Sequence, residues 1–571
     1  MRRLEATETT AGPGTHKTGI ATQADTSTEA GTVTEPDIVT EADALVAGLA
    51  AQPWGQVSSS LYETARLVSL APWLLGHGER LGHLLAAQRA DGGWGGPDGY
   101  GLVPTLSATE ALLSVLRHGA GGADRRVLGK AAEKGLWVLS GWLDGTSSPT
   151  PPDMPAIELI MASLIESINL HLDALTSPTA TGPAAAPTGL CAWPTAARLP
   201  NHPGWDAAWL KPVRAVLATG QNVPEKMIHA LEIAGPMAHR FRAAQPGPLT
   251  GVIGASPAAT AAWLGPNEPS AADPSRRFLE AVVERYGPAV PCGVPVTAFE
   301  RSWVLSVLHR AGIKVSVSND MLTGLSSMFG PNGTPAGEGL PADADTTSVV
   351  VHTLAALGVP RSPDILLNYE LDTHFCTWPG EQGSSVSTNA HVLDAFSQYV
   401  ACRPETAPRY AAAMAKTRAW LRGQQRDGSW TDRWHVSPYY ATSCAVLALT
   451  GSGAQNGREG SGNREDAHHV RTAVHWTLAG QQTDGSWGVW GATAEETAYA
   501  LQILLATPPA PEDAVAVTNA VARGRAWLLH ALDLSEHPAL WHDKDLYLPS
   551  AIVRANVLAA LRLTHNQIVR S

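Results

Sequence analysis

The chain has 571 residues, a formal net charge of -12 at pH 7 and 44% hydrophobic residues. That length exceeds what one hydrophobic core organises and implies two or three domains. No Lys/Arg-rich run is present, which argues against nucleic acid as a partner and leaves room only for a local basic pocket that takes a small anion. Five cysteines (Cys191, Cys292, Cys376, Cys402 and Cys444) stand without metal-ligand spacing, the pattern of reduced thiols in a cytoplasmic protein. The two N-terminal arginines have no apolar segment behind them, and no apolar run reads as long enough to span a bilayer, so a soluble, cytoplasmic chain is expected.

In chain order, residues 1–36 are rich in Thr, Glu, Ala and Gly and nearly lack large apolar side chains. They cannot offset their ordering entropy and read as a disordered tail. An amphipathic stretch from Asp37 to Leu49 gives the first helix, and Ser60-Leu61-Tyr62-Glu63-Thr64-Ala65-Arg66-Leu67 opens a second. Helical patterns separated by Gly/Pro loops continue to the C-terminus. Alternating β-branched segments are scarce and Ala and Leu abundant, so the chain reads as all-α. Two segments, 177–189 and the Gly/Ser/Asn-rich 451–463, read as surface insertions.

One design recurs three times: Gln88-Arg89-Ala90-Asp91-Gly92-Gly93-Trp94, Gln424-Gln425-Arg426-Asp427-Gly428-Ser429-Trp430 and Gln481-Gln482-Thr483-Asp484-Gly485-Ser486-Trp487. Each follows a Leu-containing helix end (Leu84, Leu421, Leu478) and precedes another helix. Asp-Gly supplies a tight turn because glycine tolerates positive φ. The Gln amide is expected on backbone groups left free at helix ends, and the Trp across the junction between repeats. Helical hairpins repeated in this way stack, and a stack that closes is an α/α barrel with a central cavity.

Pro341-Ala342-Asp343-Ala344-Asp345-Thr346-Thr347-Ser348 precedes an apolar run and reads as a helix start with an acidic first turn. Taken alone, this is ordinary capping chemistry, since Asp and Thr are good N-caps and negative charge favours a helix N-terminus. The surroundings give it further meaning. Asp343-Ala344-Asp345-Thr346-Thr347 resembles the Asp-x-Asp-Thr-Thr motif of the bacterial class II diterpene cyclases, and the Gln…Trp turns resemble the QW motif of the same superfamily. Segments at Ser58–Ala65, Pro224–Glu232, Ser256–Ala261, Val296–Arg301 and Leu540–Pro549 resemble family segments in the same order, so the resemblance covers about Asp37 to Leu563.

The resemblance implies two α/α-barrel domains: a γ domain over 58–295, inserted after a first helix at 37–57 that belongs to a β domain completed by 296–571. It implies protonation-initiated cyclisation of geranylgeranyl diphosphate, with the diphosphate retained. The product would be a labdane-type (copalyl-like) or a rearranged halimane- or clerodane-type skeleton. A farnesyl diphosphate cyclase making drimenyl diphosphate is the nearest rival. Asp345, the middle position of the motif, is the implied general acid; Asp343 modulates it, and Thr346 replaces a third acidic residue found in many relatives. A carboxyl becomes a strong enough acid for an alkene only if burial and a neighbouring carboxylate keep it neutral. His391 falls where relatives place the residue that orients the acid's proton.

Carbocations are stabilised by π faces, for which Trp303, Trp378, Tyr439, Tyr440, Trp541 and Tyr547 are candidates. Lys226, Arg301 and Lys544 are candidates for holding the diphosphate, with Mg2+ assisting. Plant relatives follow the Leu-Glu segment with two aspartates, but the corresponding positions after Glu232 are Pro236 and Ala238, which leaves Glu232 as a lone candidate ligand. His229 and Cys292 align with the His and Asn that plant enzymes use in the last deprotonation, and Cys in place of Asn implies a changed end to the reaction. No Asp-Asp dipeptide occurs, so the metal cluster of ionisation-type terpene synthases is missing. A squalene-hopene-type cyclase would carry more QW repeats and a third acid in the motif, a protein prenyltransferase subunit would need zinc ligands, and a non-catalytic helical-repeat scaffold is the remaining alternative.

Overall fold

Most helices begin at a residue that can satisfy their first free N–H groups. Asp37, Ser60, Ser256, Asp343, Ser385 and Thr493 each accept from a backbone N–H two or three residues on, the usual N-cap arrangement. The computed structural model describes residues 37–571 apart from 120–121, 146–148, 205–206, 220–222, 242–243, 382, 452–460, 533–536 and 571. The expected tail at 1–36 and most of the expected insertion at 451–463 lie outside the described residues. The other expected insertion, 177–189, runs along the surface with none of its residues buried.

Six helices close into a ring: Thr297–Arg310, Ala344–Ala356, Val386–Cys402, Pro438–Gly451, Ala494–Leu505 and Ser550–Arg570. Each packs on the next, and the last returns to the first. Ile38–Ala51, Ala407–Gln424, Ser461–Ala479 and Ala514–His530 form an outer layer around them. A helix with the lumen on one side and an outer helix on the other has no wet face, so every residue from Ala494 to Leu504 is buried. Five further elements make a second closed ring: Leu61–Leu70, Leu102–His118, Ile157–Thr176, the 3-10 segment Glu225–Arg240 and Pro257–Leu264. His77–Ala86, Arg125–Leu143, Leu210–Thr219 and Pro274–Tyr286 pack outside it. These two closed rings of paired helices are the α/α barrels that the sequence anticipates.

Ile157–Thr176 is 20 residues long and apolar enough by composition to cross a membrane, contrary to the reading that no run qualifies. Ile160, Leu164, Ile168 and Leu172 bury its stripe in the core of the second ring, and the apolar length serves as the wall of a barrel.

At the three Trp turns the structure reassigns the polar partners. Each indole N–H donates to a carbonyl left free at the preceding helix end: Trp94 to Leu84 at 2.6 Å, Trp430 to Leu421 at 2.7 Å and Trp487 to Thr477 at 2.7 Å. The Gln amides reach the neighbouring outer helix instead. Gln88 donates to Ala131 O and Gln481 to Ala520 O, each at 2.9 Å. In the middle turn the donor is Gln425, to His469 O at 2.9 Å, one residue beyond the Gln424 that identity spacing selects; Gln424 closes the helix before it.

A two-stranded antiparallel ribbon, Trp541–His542 with Leu546–Tyr547, hangs from the six-helix ring. Its tip, Asp543-Lys544-Asp545, enters the five-helix ring, where Ser60 Oγ and the Tyr62 amide donate to Asp545 Oδ2 at 3.1 Å each. Residues 36–571 cluster as one compact unit.

Candidate active site

Three consecutive helices of the six-helix ring bring the chemistry together. Asp343 caps Ala344–Ala356 by accepting the Thr346 N–H at 2.6 Å, so the capping role anticipated for this sequence is real. Asp343 and Thr346 are buried, at 6% and 3% exposure. Burial, with the charge of Asp345 two residues away, pushes the Asp343 carboxyl up to about 8. At pH 7 Asp343 is therefore a neutral acid.

Asp345 Oδ1 lies 2.7 Å from His391 Nδ1 on Val386–Cys402. The other ring nitrogen, Nε2, faces Cys444 Sγ on Pro438–Gly451 at 3.8 Å. Burial alone would lower the His391 pKa, but the Asp345 carboxylate and its hydrogen bond reverse this and hold it well above the ordinary histidine value. The Asp345–His391 contact thus favours a protonated imidazole, with the neutral Asp343 carboxyl beside the pair. Trp303 meets the His391 ring edge-on at 5.2 Å.

An aromatic wall continues from Trp303: Phe299 at 4.6 Å from Trp303, Trp541 at 5.7 Å from Phe299 and Tyr440 at 4.8 Å from Trp541. Tyr547, on the ribbon's second strand, lies 6.4 Å from Trp541; burial above all, with acidic neighbours such as Asp543 and Glu495, keeps its phenol protonated. Behind the wall Glu495, 2% exposed, accepts from Trp541 Nε1 at 2.7 Å and Tyr499 OH at 3.0 Å, and faces His435 Nε2 at 3.2 Å. Sequence reading missed Glu495, His435 and Cys444. A Glu-Glu pair (Glu495, Glu496) inside an otherwise apolar helix was the available signal for Glu495.

Not every anticipated residue joins this group. Tyr439 packs outward on Trp476 at 4.6 Å, and its neighbour Tyr440 takes the inner place. Arg301 donates to Leu49 O at 3.3 Å on the outer helix Ile38–Ala51, away from the other anion candidates. Trp378 stands edge-on to Trp434 at 5.6 Å, with Lys226 Nζ 5.5 Å from its ring. These two line a cleft of about 380 Å3 that also touches Ala342, one residue before Asp343.

Lys544 is fully buried. Its Nζ lies 2.5 Å from Glu63 Oε1, 2.7 Å from Ser256 Oγ, 2.9 Å from Glu232 Oε1 and 2.9 Å from His229 O. Every ammonium proton has a partner, so this lysine is a peg between the rings with nothing left for a diphosphate. Glu232 Oε1 also accepts from Tyr62 OH at 2.7 Å. A carboxylate committed to an ammonium, with Pro236 and Ala238 where further acids would stand, does not fit a divalent cation. Among the described residues no group of three His, Cys, Asp or Glu side chains has metal-site geometry.

His229 is bound on both sides. Gly254 O can only accept, so Nδ1, at 2.6 Å, carries a proton; Nε2 faces Asp543 Oδ1 at 2.7 Å. Burial opposes the charge, yet Asp543 raises the His229 pKa, while Asp543 itself is held well below the usual carboxylate range, its desolvation outweighed by His229 and Lys544. With one ring nitrogen on a carbonyl and the other on a carboxylate, His229 has no nitrogen free to take a proton, which does not fit the base expected of it. Burial also pushes the Cys292 thiol well up, leaving it neutral.

Residues 382–544 match the family described as squalene-hopene cyclase C-terminal domain. Over 527 residues, 91% of this chain and 94% of the relative, it is 40% identical to a copalyl diphosphate synthase of Streptomyces cyslabdanicus. It is 39% identical over 523 residues, 91% of each chain, to a labda-7,13-dienyl diphosphate synthase of Streptomyces clavuligerus. The solved ent-copalyl diphosphate synthase of Streptomyces platensis superposes with a TM-score of 0.82 at 41% identity, covering 93% of this chain and 100% of that one.

Proposed function

Because this chain belongs to the bacterial class II diterpene cyclases, we propose that it protonates geranylgeranyl diphosphate and closes it to a bicyclic, copalyl-type diphosphate. The observation that carries this reading is the 2.7 Å contact between Asp345 and His391, beside a carboxyl that burial keeps neutral. In this proposal residues 58–295 are the γ domain and 37–57 with 296–571 the β domain, and the reaction runs where they meet.

An apolar polyene beside the Asp345–His391 contact penalises charge on either group, so the shared proton comes to rest on Asp345 and leaves a neutral imidazole beside a neutral acid. The terminal alkene's π electrons then take the Asp345 proton and leave a tertiary cation. Each following double bond attacks the cation before it, and the π faces of Trp303, Trp541 and Tyr440 stabilise the migrating charge. Loss of a proton from a carbon next to the last cation restores a double bond, so the reaction is an isomerisation in which the C–O bond to diphosphate stays intact.

Lys226, above Trp378 at the cleft, is assigned to the diphosphate. Mg2+ belongs in this reading to the substrate as its counter-ion, and no step passes through it. With both His229 ring nitrogens engaged and Cys292 a neutral thiol, the last proton leaves to water or to another acceptor than the plant position.

The test is incubation of the enzyme with geranylgeranyl and farnesyl diphosphates, then dephosphorylation and mass spectrometry of the alcohols. A cyclic C20 alcohol, with turnover reduced at least about a hundredfold in a folded Asp345→Ala variant, supports the proposal. Release of free pyrophosphate, an exclusively C15 product or an active Asp345→Ala variant overturns it.

A further inference from the structure

The lumen of the five-helix ring holds a cavity of about 540 Å3, within the roughly 300–1,000 Å3 that small-molecule sites span. Its walls are mainly apolar, with Val68, Leu70, Val115, Ile160 and Leu164 among them, and small residues such as Ser167 and Ala262 leave the space open; of the basic side chains that also line it, Arg66 pairs with Glu110, Arg117 meets His171 and His118 meets Ser114 O. At its inner end Glu110 is fully engaged: Oε1 faces His171 Nε2 at 3.0 Å, while Oε2 accepts from Ser69 Oγ at 2.6 Å and pairs with Arg66. Leu170, 56% exposed, marks the side open to solvent. The cyclisation uses none of this, since its acid and aromatic wall belong to the other ring.

One polar atom in the cavity wall is unexplained. Glu232 lines the cavity at 7% exposure, and while its Oε1 holds Lys544 and Tyr62, Oε2 has no hydrogen-bond partner. A buried carboxylate oxygen without a donor is unfavourable, and a ligand that brings a donor relieves it. An anionic head group would instead set charge against charge at Glu232. The mainly apolar walls favour a hydrocarbon body for the rest of the molecule.

We propose that this lumen binds an apolar alcohol, its hydrocarbon body along the barrel axis and its hydroxyl donating to Glu232 Oε2. Glu232 then faces two ways, with one oxygen on Lys544 at the catalytic ribbon and the other on the ligand, so occupancy is felt at the ribbon. The choice of an isoprenoid as probe rests on the functional reading above; the site does not.

The experiment uses the full chain carrying Asp345→Asn, saturated with geranylgeranyl diphosphate so that the catalytic cavity is occupied without turnover, and titrated with geranylgeraniol in a calorimeter. One equivalent is expected to bind. The methyl ether of geranylgeraniol, which has no donor, should bind at least about tenfold more weakly. Ser167→Phe, which fills the lumen, should abolish the binding and leave cyclisation by the otherwise wild-type chain unchanged. No binding to the saturated protein, equal affinity for the ether, or binding that survives Ser167→Phe overturns the proposal. Should geranylgeranyl diphosphate itself fail to bind, the fault lies with the functional reading, and geranylgeraniol titrated into the unliganded chain with and without Ser167→Phe still decides the site.

Discussion

Among the described residues two largely enclosed His–Asp pairs share the same 2.7 Å contact, His391–Asp345 in the six-helix ring and His229–Asp543 where the ribbon enters the five-helix ring. Their difference lies in what else each partner touches. His229 gives its second proton to a carbonyl, and Asp543 also accepts the backbone N–H groups of Gly293 and Lys544 at 2.9 and 2.8 Å. Burial and the Lys544 ammonium oppose a charge on His229, but Asp543 and the Gly254 carbonyl outweigh them and favour it. His391 turns its second nitrogen to a thiol, a weak partner, and Asp345 sits beside a second carboxyl that its charge drives up. The first pair has the contacts of a structural ion pair; the second is the one from which the proposed mechanism draws its proton. A His–carboxylate distance by itself therefore distinguishes nothing.

The sharpest way to break this contrast is to make the same substitution in both. His391→Asn should lower kcat by about 10²- to 10⁴-fold with unfolding free energy nearly unchanged, whereas His229→Asn should cost about 3–5 kcal/mol in urea denaturation and leave turnover per folded molecule much closer to wild type. The reverse pattern would exchange the two roles. Next in size, Lys544→Met strands two carboxylates, Glu63 and Glu232, and should destabilise the fold by about 3–5 kcal/mol, read from the denaturation midpoint at constant slope.

The pH profile gives a smaller effect. Asp343 is neutral below its raised pKa and ionises above it, so kcat should fall as pH rises through about 8. The sign for stability is the same: a carboxyl held protonated by the fold contributes most below its unfolded pKa, and that contribution is gone once pH passes about 8. A kcat flat between pH 7 and 9 would remove Asp343 from the proton-holding group. Lys226→Met should raise KM by roughly tenfold with little change in kcat, the loss of one charge-assisted contact worth about 1.5–3 kcal/mol at most. Smallest of all, Cys444→Ser puts a better hydrogen-bond partner on His391 Nε2, makes this pair more like the other, and should slow turnover several-fold.

Much of this was legible in the sequence. Caps and apolar periodicity predicted the helices, the Gln…Trp turns predicted a closed stack, and Asp343, Asp345 and His391 were named through their resemblance to family segments. What stayed hidden has physical reasons. Pro438–Gly451 is buried on nearly all sides, so no periodicity told Tyr439 from Tyr440. Lys544 looked like a free cation because its partners Glu63 and Glu232 lie more than 300 residues away in sequence, and pairing over such distances leaves no local pattern. Arg301 shares a segment with family residues, but its helix phase turns it to the outer layer. Gln424 and Gln425 are adjacent and identical, and only the turn geometry chooses between them.

The ribbon from Trp541 to Tyr547 has a consequence for how the molecule can be dissected. It supplies Trp541 and Tyr547 to the reaction chamber from one ring, while its charged tip is neutralised by the other. A chain severed near Pro295 would leave one fragment with Lys544 stripped of its partners and the other with two acids, Glu63 and Glu232, around an empty socket. The halves are not interchangeable modules, and a chimera grafting one ring onto a relative's partner must carry both the tip and its socket across together.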